Sequence, residues 1–462
     1  MKKTTELAYK PQSAWERYAS PRERKAMDAL AARYLDFLTN CKTERETIAH
    51  ALRFLQKAGY GDGVEGDLLV RPFKGKALFA ARKGALPLDR GLRLISAHAD
   101  SPRLDLKQRP LVEQAQVLQA KTHYYGGLHK YQWLARPLAL HGVLIRQDAS
   151  VLEVTLGEDP AEPVFAIADL LPHLAKDHGG QKMSEGFSAE KLNLLLGHCP
   201  ALKGEKDKEA PKEPVKQRIL ELLSEKYRIC EEDFISAELQ AVPAGPARLV
   251  GLDGALSGGY GQDDRICVFA ALEALARGPE PAHASVLVLW DKEEIGSEGS
   301  TSAHSRFLDY CLEDLAALWQ PGMRLSECLL RSRALSADVA AGLDPDWQEL
   351  HDKQNAALMG HGPCFSKFTG ARGKYGANDA HAEYVGWIRG VLNAKKIPWQ
   401  MAECGKVDQG GGGTVALFLA AYGMDAIDMG PPLLSMHSPF ELAGKADLYA
   451  SVEAFAAFLA AT

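Results

Sequence analysis

Residues 284–304, ASVLVLWDKEEIGSEGSTSAH, constrain the fold more than any other part of the chain. Within residues 285–291, positions 286–290 are all apolar, a pattern typical of a parallel strand that is buried on both faces. Glu293 and Glu294 follow directly. Ligands bind at the C-terminal ends of the strands in an open α/β sheet, so two adjacent carboxylates there indicate metal binding or acid–base chemistry. The alternative is a solvated loop that happens to carry two glutamates.

The length of 462 residues predicts more than one domain, because single hydrophobic cores stop growing near ~250–300 residues. A hydrophobic content of 46% and a charged content of 25% are typical of a globular protein and argue against disorder. The net charge of −6 argues against a nucleic-acid partner, which needs a basic face.

Cysteine usage and the N-terminal sequence both bear on the compartment. The eight cysteines include no C-x-x-C pair, which indicates reduced thiols. The N-terminal stretch lacks the apolar segment of a signal peptide, and no stretch approaches the ~18 apolar residues that a membrane span needs. We therefore expect a cytoplasmic protein with no membrane partner.

A second apolar run, residues 92–97, ends in His98 and Asp100 and repeats the layout of the first. Ahead of it, Thr43 and Glu46 form a capping-box pattern that predicts the start of a helix. A histidine at a strand end is commonly a hydrogen-bonded structural residue, and this alternative stays open. The H-x-D spacing adds a specific role, because an Asp two residues on can orient an imidazole that binds a metal.

The block over residues 108–247 differs from the sequence on either side of it. Short alternating runs, such as residues 117–122 and 138–146, predict antiparallel strands. The α/β pattern then resumes. We therefore predict a catalytic domain in two parts, 1–107 and 248–462, and an inserted domain over 108–247.

The inserted block contains a candidate histidine and a charged segment. His173 occurs in the segment ADLLPHLA, and taken alone it is most simply a structural residue. Residues 203–218, KGEKDKEAPKEPVKQR, carry mixed charges and prolines. This composition predicts a solvated loop.

The second α/β part supplies further candidate ligands. Asp263 and Asp264 open a predicted helix, where acids also complement the helix dipole. Asp338 ends another apolar run, and His437 follows a turn near the C-terminus. The glycine-rich turn at residues 410–413 offers backbone N–H groups that can hold a carboxylate or an oxyanion.

Together these positions form a ligand set for divalent metal ions. Two imidazoles and three carboxylates suit zinc best. One bridging carboxylate, with one histidine and one further acid per metal, would leave each ion an open position. Glu293 would then remain as a base. The candidate ligands are His98, Asp263, Glu294, Asp338 and His437.

Five motifs, SAHADSP, GQDDR, DKEEIGSEGSTSA, SADVAAG and SMHSPFE, occur in this order across most of the chain. They resemble the M18 family of di-zinc aminopeptidases, of which aspartyl aminopeptidase is the best-known member. The resemblance implies an α/β fold of the zinc-exopeptidase type, a mixed central sheet flanked by helices, with an inserted β-rich dimerisation domain. It also implies two Zn2+ per subunit, with Co2+ or Mn2+ as substitutes. A tetrahedral homododecamer built from dimers is implied as the assembly.

The resemblance carries roles over to the matching residues. It implies the five metal ligands already named, with Asp263 as the bridge and Asp264 as the competing choice. Glu293 is implied as the general base. Asp100 is implied as the residue that orients His98.

Further roles concern the oxyanion and the neighbouring subunit. In the family, a histidine that follows a proline of the inserted domain reaches into the partner's active site, and this position resembles His173. Together with backbone donors near Gly411 and Gly412, it would stabilise the developing oxyanion.

Substrate preference is less constrained. In eukaryotic aspartyl enzymes the segment after the metal-binding Asp reads SADMAH, whereas SADVAA here puts Ala341 where a histidine would sit. This departure weakens the expectation of strict specificity for Asp or Glu. Lys367, Arg372 and Lys374 would contact an acidic side chain or the peptide backbone; the alternative is a solvated basic loop.

The sequence thus predicts a metalloaminopeptidase that acts on peptides with a free N-terminus. One alternative is a related di-zinc carboxypeptidase or deacylase, which would need a cation for the substrate's terminal carboxylate. Another is a non-catalytic scaffold that retains the fold. Loss of Glu293 or of a ligand would indicate the scaffold, and none of these residues is missing.

Overall fold

The computed structural model describes residues 8–61, 66–202 and 211–462. They form two compact units. The first holds the described residues up to Ser101 together with Pro246–Met436 and Phe440–Thr462; the second holds Pro102–Gly245 and His437–Pro439. The mixed α/β fold class is confirmed. The domain boundaries and the dimerisation role inferred from sequence stay predictions.

The described chain contains both helices and strands throughout its length. The helices are α1 (Ala14–Arg17), α2 (Pro21–Asn40), α3 (Glu44–Lys57), α4 (Met183–Gly186), α5 (Pro214–Tyr227), α6 (Gln262–Arg277), α7 (Phe307–Trp319), α8 (Leu325–Leu329), α9 (Ala382–Lys395), α10 (Ala416–Ala421) and α11 (Lys445–Leu459). The strands are β1 (Leu68–Phe73), β2 (Ala77–Arg82), β3 (Arg93–His98), β4 (Arg103–Gln114), β5 (Val117–Tyr125), β6 (Leu138–Ile145), β7 (Val151–Leu156), β8 (Leu194–Gly197), β9 (Glu238–Pro243), β10 (Arg248–Val250), β11 (Leu256–Gly259), β12 (Ser285–Trp290), β13 (Arg333–Ser336), β14 (Ala340–Ala341), β15 (Cys364–Ser366), β16 (Gln400–Met401), β17 (Asp425–Gly430), β18 (Pro432–Leu434) and β19 (Glu441–Gly444).

The first unit is built on an eight-stranded sheet with the strand order β1-β2-β12-β3-β13-β17-β15-β16. The four central strands β12, β3, β13 and β17 run parallel. Their C-terminal ends therefore lie along one edge of the sheet. β12 and β3 are buried at every position. For β12 this confirms the prediction made from the apolar residues 286–290 of a strand covered on both faces.

Helices cover both faces of this sheet. Side chains of α2, α3, α6, α9 and α11 share one hydrophobic core with it, and α7, α8 and α10 share the other. The predicted capping box at the start of α3 is confirmed, because the Thr43 hydroxyl accepts from the Glu46 N–H while the Glu46 carboxylate accepts from the Thr43 N–H. A smaller sheet in the same unit has the order β10-β11-β19-β18-β14.

The second unit is a six-stranded antiparallel sheet with the order β7-β6-β9-β4-β5-β8. The strands predicted at residues 117–122 and 138–146 are confirmed as β5 and β6. Helix α5 packs on this sheet through an apolar cluster that includes Val215, Ile219 and Leu223.

The prediction of a solvated loop over residues 203–218 is wrong for its final part. Residues 203–210 lie outside the described residues, but α5 begins at Pro214. Proline favours the first helical position, and Val215, Ile219 and Leu223 then recur every four residues, which gives the helix an apolar stripe. The charged residues occupy the other faces of that helix. Within the described ranges, no helix combines the length and apolarity that crossing a membrane requires.

Candidate metal centre

The neighbouring strands β3 and β12 bring the first candidate residues together. Trp290 at the end of β12 pairs in register with His98 at the end of β3. The chain then turns through Glu293 and Glu294 beside the imidazole. One ligand atom from each of His98, Glu293 and Glu294 lies within 4.8 Å of the others.

Asp100 is fully buried and contacts both His98 and the Glu293–Glu294 turn. Its carboxylate oxygens accept hydrogen bonds from the backbone N–H groups of Glu293 and Glu294, each at 3.2 Å. Its backbone carbonyl oxygen lies 3.0 Å from Nδ1 of His98. Because a carbonyl only accepts, Nδ1 carries the proton in this contact, and the neutral imidazole then presents Nε2 as the metal-binding atom.

Asp263 and Asp338 lie on the Nε2 side of His98. The three residues offer ligand atoms within 4.8 Å of one another, with 3.2 Å between His98 Nε2 and Asp263 Oδ1 and 4.0 Å between His98 Nε2 and Asp338 Oδ1. A carboxylate oxygen of Asp263 also lies within 4.8 Å of one of Glu294. Asp263 thus lies close to His98, Asp338 and Glu294, as a carboxylate that bridges two metal ions would have to.

Asp264 occupies a different environment from Asp263. Its side chain is fully buried, and its Oδ2 accepts the backbone N–H of His98 at 3.4 Å. It belongs to no candidate metal group among the described residues. The peptide bond between the two aspartates is cis, and Gly261 just before them has φ of +71°. This positive φ favours glycine, and a Cβ at Gly261 would also displace the Arg265 guanidinium.

Glu441 ends the SMHSPFE motif, but no role was predicted for it from the sequence. Its buried carboxylate accepts hydrogen bonds from the backbone N–H groups of Gln262 and Asp263 at the start of α6. The Ser101 hydroxyl donates to the Asp263 carbonyl oxygen at 2.6 Å. Together they fix the backbone that carries Asp263. The sequence feature that could have indicated this role is the presence of Glu441 in the same motif as the candidate ligand His437.

The electrostatics of the cluster favour a bound cation. Burial and the neighbouring carboxylates Asp263 and Asp264 raise the pKa of Asp338 well above its usual value. Burial likewise raises the pKa of Asp264. Burial lowers the pKa of His98, but its contacts with Asp100 and Asp263 and nearby carboxylates outweigh this and leave it well above the ordinary range. So many buried acids repel one another unless divalent ions balance their charge, and the carboxylate and imidazole donors fit zinc.

His437 belongs to the second unit and follows β18 by three positions. It is half-buried with φ of +63°. Its Nδ1 lies 2.8 Å from the Gly127 carbonyl oxygen. As with His98, this contact places the proton on Nδ1 and selects the tautomer of a metal-binding imidazole. Its role as a ligand stays a prediction.

The structure gives the remaining candidates distinct surroundings. His173 is exposed in a short turn, Pro172–Leu174, of the second unit. Lys367 and Lys374 both contact the carboxylate of Asp379, at 2.7 and 2.9 Å. These contacts with Asp379 were not predicted from the sequence.

Residues 410–413 lie in the first unit beside the loop that carries these lysines. Gly411 has φ of +116°, and a Cβ there would collide with the Gly370 carbonyl oxygen. Gly412 accepts a hydrogen bond at its carbonyl oxygen from the Gly370 N–H. The predicted substrate-binding elements therefore pack against each other.

Comparison with known proteins identifies the family. The sequence profile described as "Aminopeptidase I zinc metalloprotease (M18)" matches residues 37–459. The chain belongs to the M18 family. An M18 relative from Clostridium acetobutylicum, named "Probable M18 family aminopeptidase 1", is 43% identical over 459 residues, which cover 97% of each chain.

The M18 fold is also found in solved structures. The M18 aminopeptidase crystal structure from Thermotoga maritima matches with a TM-score of 0.92 and 43% identity, covering 98% of this chain and 99% of that one. A distant structure, that of the S. cerevisiae mApe1 dodecamer, matches with a TM-score of 0.74 at 20% identity over 94% of this chain and 97% of that one. That similarity concerns the fold alone. This chain is accordingly a zinc metalloprotease of the M18 aminopeptidase family, as the sequence motifs predicted.

Proposed function

We propose that this M18 chain removes the N-terminal residue from peptides by hydrolysis at a centre for two zinc ions. Asp263 would bridge the ions, with His98 and Asp338 completing one set of ligands and Glu294 and His437 the other. The observation that carries the proposal is the position of Asp263, whose carboxylate lies near both His98 and Glu294.

The zinc ions, when bound, supply Lewis acidity that polarises the scissile carbonyl and makes water nucleophilic near neutral pH. Glu293 is half-buried, and its Oε2 lies 3.9 Å from His98 Nε2, so its carboxylate is beside a proposed metal ligand. Glu293 takes the proton of the attacking water and later donates it to the nitrogen of the leaving peptide. This proton transfer typically contributes ~10²–10⁴-fold to the rate.

Asp100 keeps Glu293 in place. Its carboxylate holds the backbone N–H groups of both Glu293 and Glu294, and its carbonyl oxygen fixes the His98 ring. The proton acceptor and two metal ligands therefore share one buried support. Such preorganisation keeps the base at a constant distance from the reacting water.

Assembly contributes to the proposed site. His173 lies in an exposed turn and would reach the active site of a neighbouring subunit, where it stabilises the oxyanion together with the N–H groups of Gly411 and Gly412. A distant M18 relative is a dodecamer. We propose a homo-oligomer, a tetrahedral dodecamer built from dimers. The eight free cysteines support a reducing, cytoplasmic location.

A more specific hypothesis is that the enzyme prefers substrates whose N-terminal residue is Asp or Glu. Lys367 and Lys374 are the cations that support it. Both already contact Asp379, and the motif SADVAA offers Ala341 in place of a further donor. We therefore propose a broad aminopeptidase in which the acidic preference is weak.

The test assays a panel of aminoacyl p-nitroanilides and a set of N-acetylated peptides with free C-termini, each with and without a chelator. We expect hydrolysis only of free N-termini and only with metal present. Release of the C-terminal residue from the N-acetylated peptides would instead favour a carboxypeptidase, and release of acetate would favour a deacylase. Absence of any hydrolysis by the metal-loaded protein would favour a non-catalytic scaffold.

A further inference from the structure

The segment between β15 and α9 folds back on itself. Phe368 and Asp379 form an antiparallel backbone bridge, and the Ala380 N–H donates to the Lys367 carbonyl oxygen at 2.7 Å. These backbone contacts bring residues at the two ends of the segment next to each other. The side chain of Asp379 is consequently held beside that of Lys367.

Asp379 bridges two lysines. Its Oδ1 lies 2.7 Å from Lys367 Nζ, and its Oδ2 lies 2.9 Å from Lys374 Nζ. The Lys374 ammonium also lies 3.8 Å from the centroid of the Phe368 ring, which favours a cation there. Both ammonium groups therefore converge on one carboxylate at the base of the loop.

The three charged groups remain accessible. The side chains of Lys367, Lys374 and Asp379 are 39%, 42% and 48% exposed. Hydrogen bonds from the two lysines lower the pKa of Asp379, so its carboxylate is ionised at neutral pH. Two cations share one anion, which leaves the group with a positive charge. An anionic ligand can reach the ammonium groups, but it must compete with Asp379 for them.

The same loop packs against the glycine-rich turn. Gly370 donates its N–H to the Gly412 carbonyl oxygen, and Gly411 approaches the Gly370 carbonyl so closely that only glycine fits. In the proposed function this turn lies beside the scissile carbonyl. The lysine pair would then lie close enough to meet the side chain of the N-terminal residue.

We propose that Asp379 determines specificity, as an internal carboxylate that occupies the two ammonium groups an acidic N-terminal residue would otherwise bind. This inference rests on the proposed aminopeptidase function. It names the favoured substrates as peptides whose N-terminal side chain is uncharged. An N-terminal Glu or Asp is accepted only when its carboxylate displaces Asp379 from the lysines.

The size of the change in specificity depends on how exposed the two Lys–Asp379 ion pairs are. Ion pairs at solvent-accessible positions are weak, so the competition is modest rather than absolute. Removing Asp379 should raise the efficiency for an acidic N-terminal residue, relative to its uncharged isostere, by about 3- to 10-fold. The isosteres Glu and Gln differ chiefly in charge, so their ratio isolates this effect.

The experiment measures kcat/KM for Glu- and Gln-p-nitroanilide with the metal-loaded, full-length enzyme. We expect Asp379→Asn to raise the Glu/Gln ratio by that factor, and Lys374→Met, introduced in the same background, to reverse the gain. Asp314→Asn on α7 is the matched control. It removes an exposed carboxylate that pairs with Arg71 at 3.8 Å, and should leave both activities and their ratio unchanged.

An unchanged Glu/Gln ratio in Asp379→Asn, with hydrolysis of both substrates retained, would overturn the role of Asp379 and leave the aminopeptidase proposal intact. Absence of hydrolysis by the unaltered enzyme would instead overturn the proposed function. If Asp379→Asn does not fold, Lys374→Met alone provides the test, because the loss of one exposed lysine should lower the ratio below that of the unaltered enzyme. No decrease in that variant would likewise contradict the inference.

Discussion

Oδ2 of Asp100 accepts a hydrogen bond from the backbone N–H of Glu294 at 3.2 Å. Oδ1 of the same carboxylate accepts the N–H of Glu293 at the same distance. The sequence predicted Asp100 as a support for His98. The structure adds a second connection, because Asp100 also holds the turn that follows β12.

Replacing Asp100 with Asn should therefore do more than loosen one imidazole. An Asn side chain offers one acceptor where the carboxylate offers two, so one of the Glu293 and Glu294 N–H groups loses its partner. We expect activity or metal affinity to fall ~10–100-fold. Titration with zinc separates the two effects. An Asp100→Asn enzyme with unaltered metal affinity and unaltered kcat would contradict this role.

Glu293→Gln tests the proton carrier. The amide keeps the size of the side chain but cannot accept a proton from water, so kcat should fall by ~10²–10⁴-fold. Metal content should remain as in the unaltered enzyme, because Glu293 is not among the proposed ligands. Turnover near the original rate with full metal content would show that another group acts as the base.

Metal removal should reduce both activity and stability. The ligand set contains buried carboxylates that repel one another, and a metal that binds only the folded chain stabilises it by mass action. We expect two zinc ions per chain at saturation by elemental analysis and a lower unfolding temperature after chelation. One tightly bound ion per chain at saturation would contradict the dinuclear centre.

Subunit complementation tests the proposed role of His173. A His173→Ala chain lacks the donor that it gives to its neighbour, and a Glu293→Gln chain lacks its own base. Each homo-oligomer should be nearly inactive. Co-expressed chains should recover part of the activity, because a mixed pair builds one site with both residues intact. No recovery in mixed oligomers, verified by two affinity tags, would argue against action between subunits.

Asp447 should make stability depend on pH. Burial raises the pKa of this carboxyl to about 7 from an ordinary 3.8, although it accepts the N–H groups of Gly360 and Gly362. The folded chain therefore keeps a proton that the unfolded chain loses. The unfolding free energy should fall as pH rises from about 4 to about 7, by about 1.4 kcal/mol for each unit by which the pKa is raised.

The matching variant is Asp447→Asn, which does not titrate. It loses an acceptor for the loop N–H groups and should be less stable throughout, so only the slopes are compared. Denaturant unfolding at several pH values between 4 and 7 gives both slopes. Equal slopes in the two proteins would contradict the assignment to Asp447.

The central part of the fold was predictable because it is encoded locally. Largely apolar runs ahead of His98 and Glu293 indicate buried parallel strands, and such strands place their C-terminal residues at one edge. The five motifs then identified the family. Fold class and family could be inferred from these features alone.

Other features depend on contacts between distant residues and left no local pattern. The support that Glu441 gives to Asp263 joins β19 to α6, and Asp100 joins β3 to the turn after β12 through backbone N–H groups. The pairing of Asp379 with Lys367 depends on how one loop folds back. At Pro214 the error had another cause, because the charged residues outnumbered a short apolar stripe that nevertheless forms α5.

The strand order has a consequence for synthesis of the chain. β2 and β3 follow each other in sequence, yet β12 lies between them in the finished sheet. Until the ribosome has released β12, the facing edges of β2 and β3 have no partner between them. Unpaired edges of apolar strands promote association with other chains. The nascent protein therefore passes through a stage in which the gap between β2 and β3, which β12 later fills, is still open.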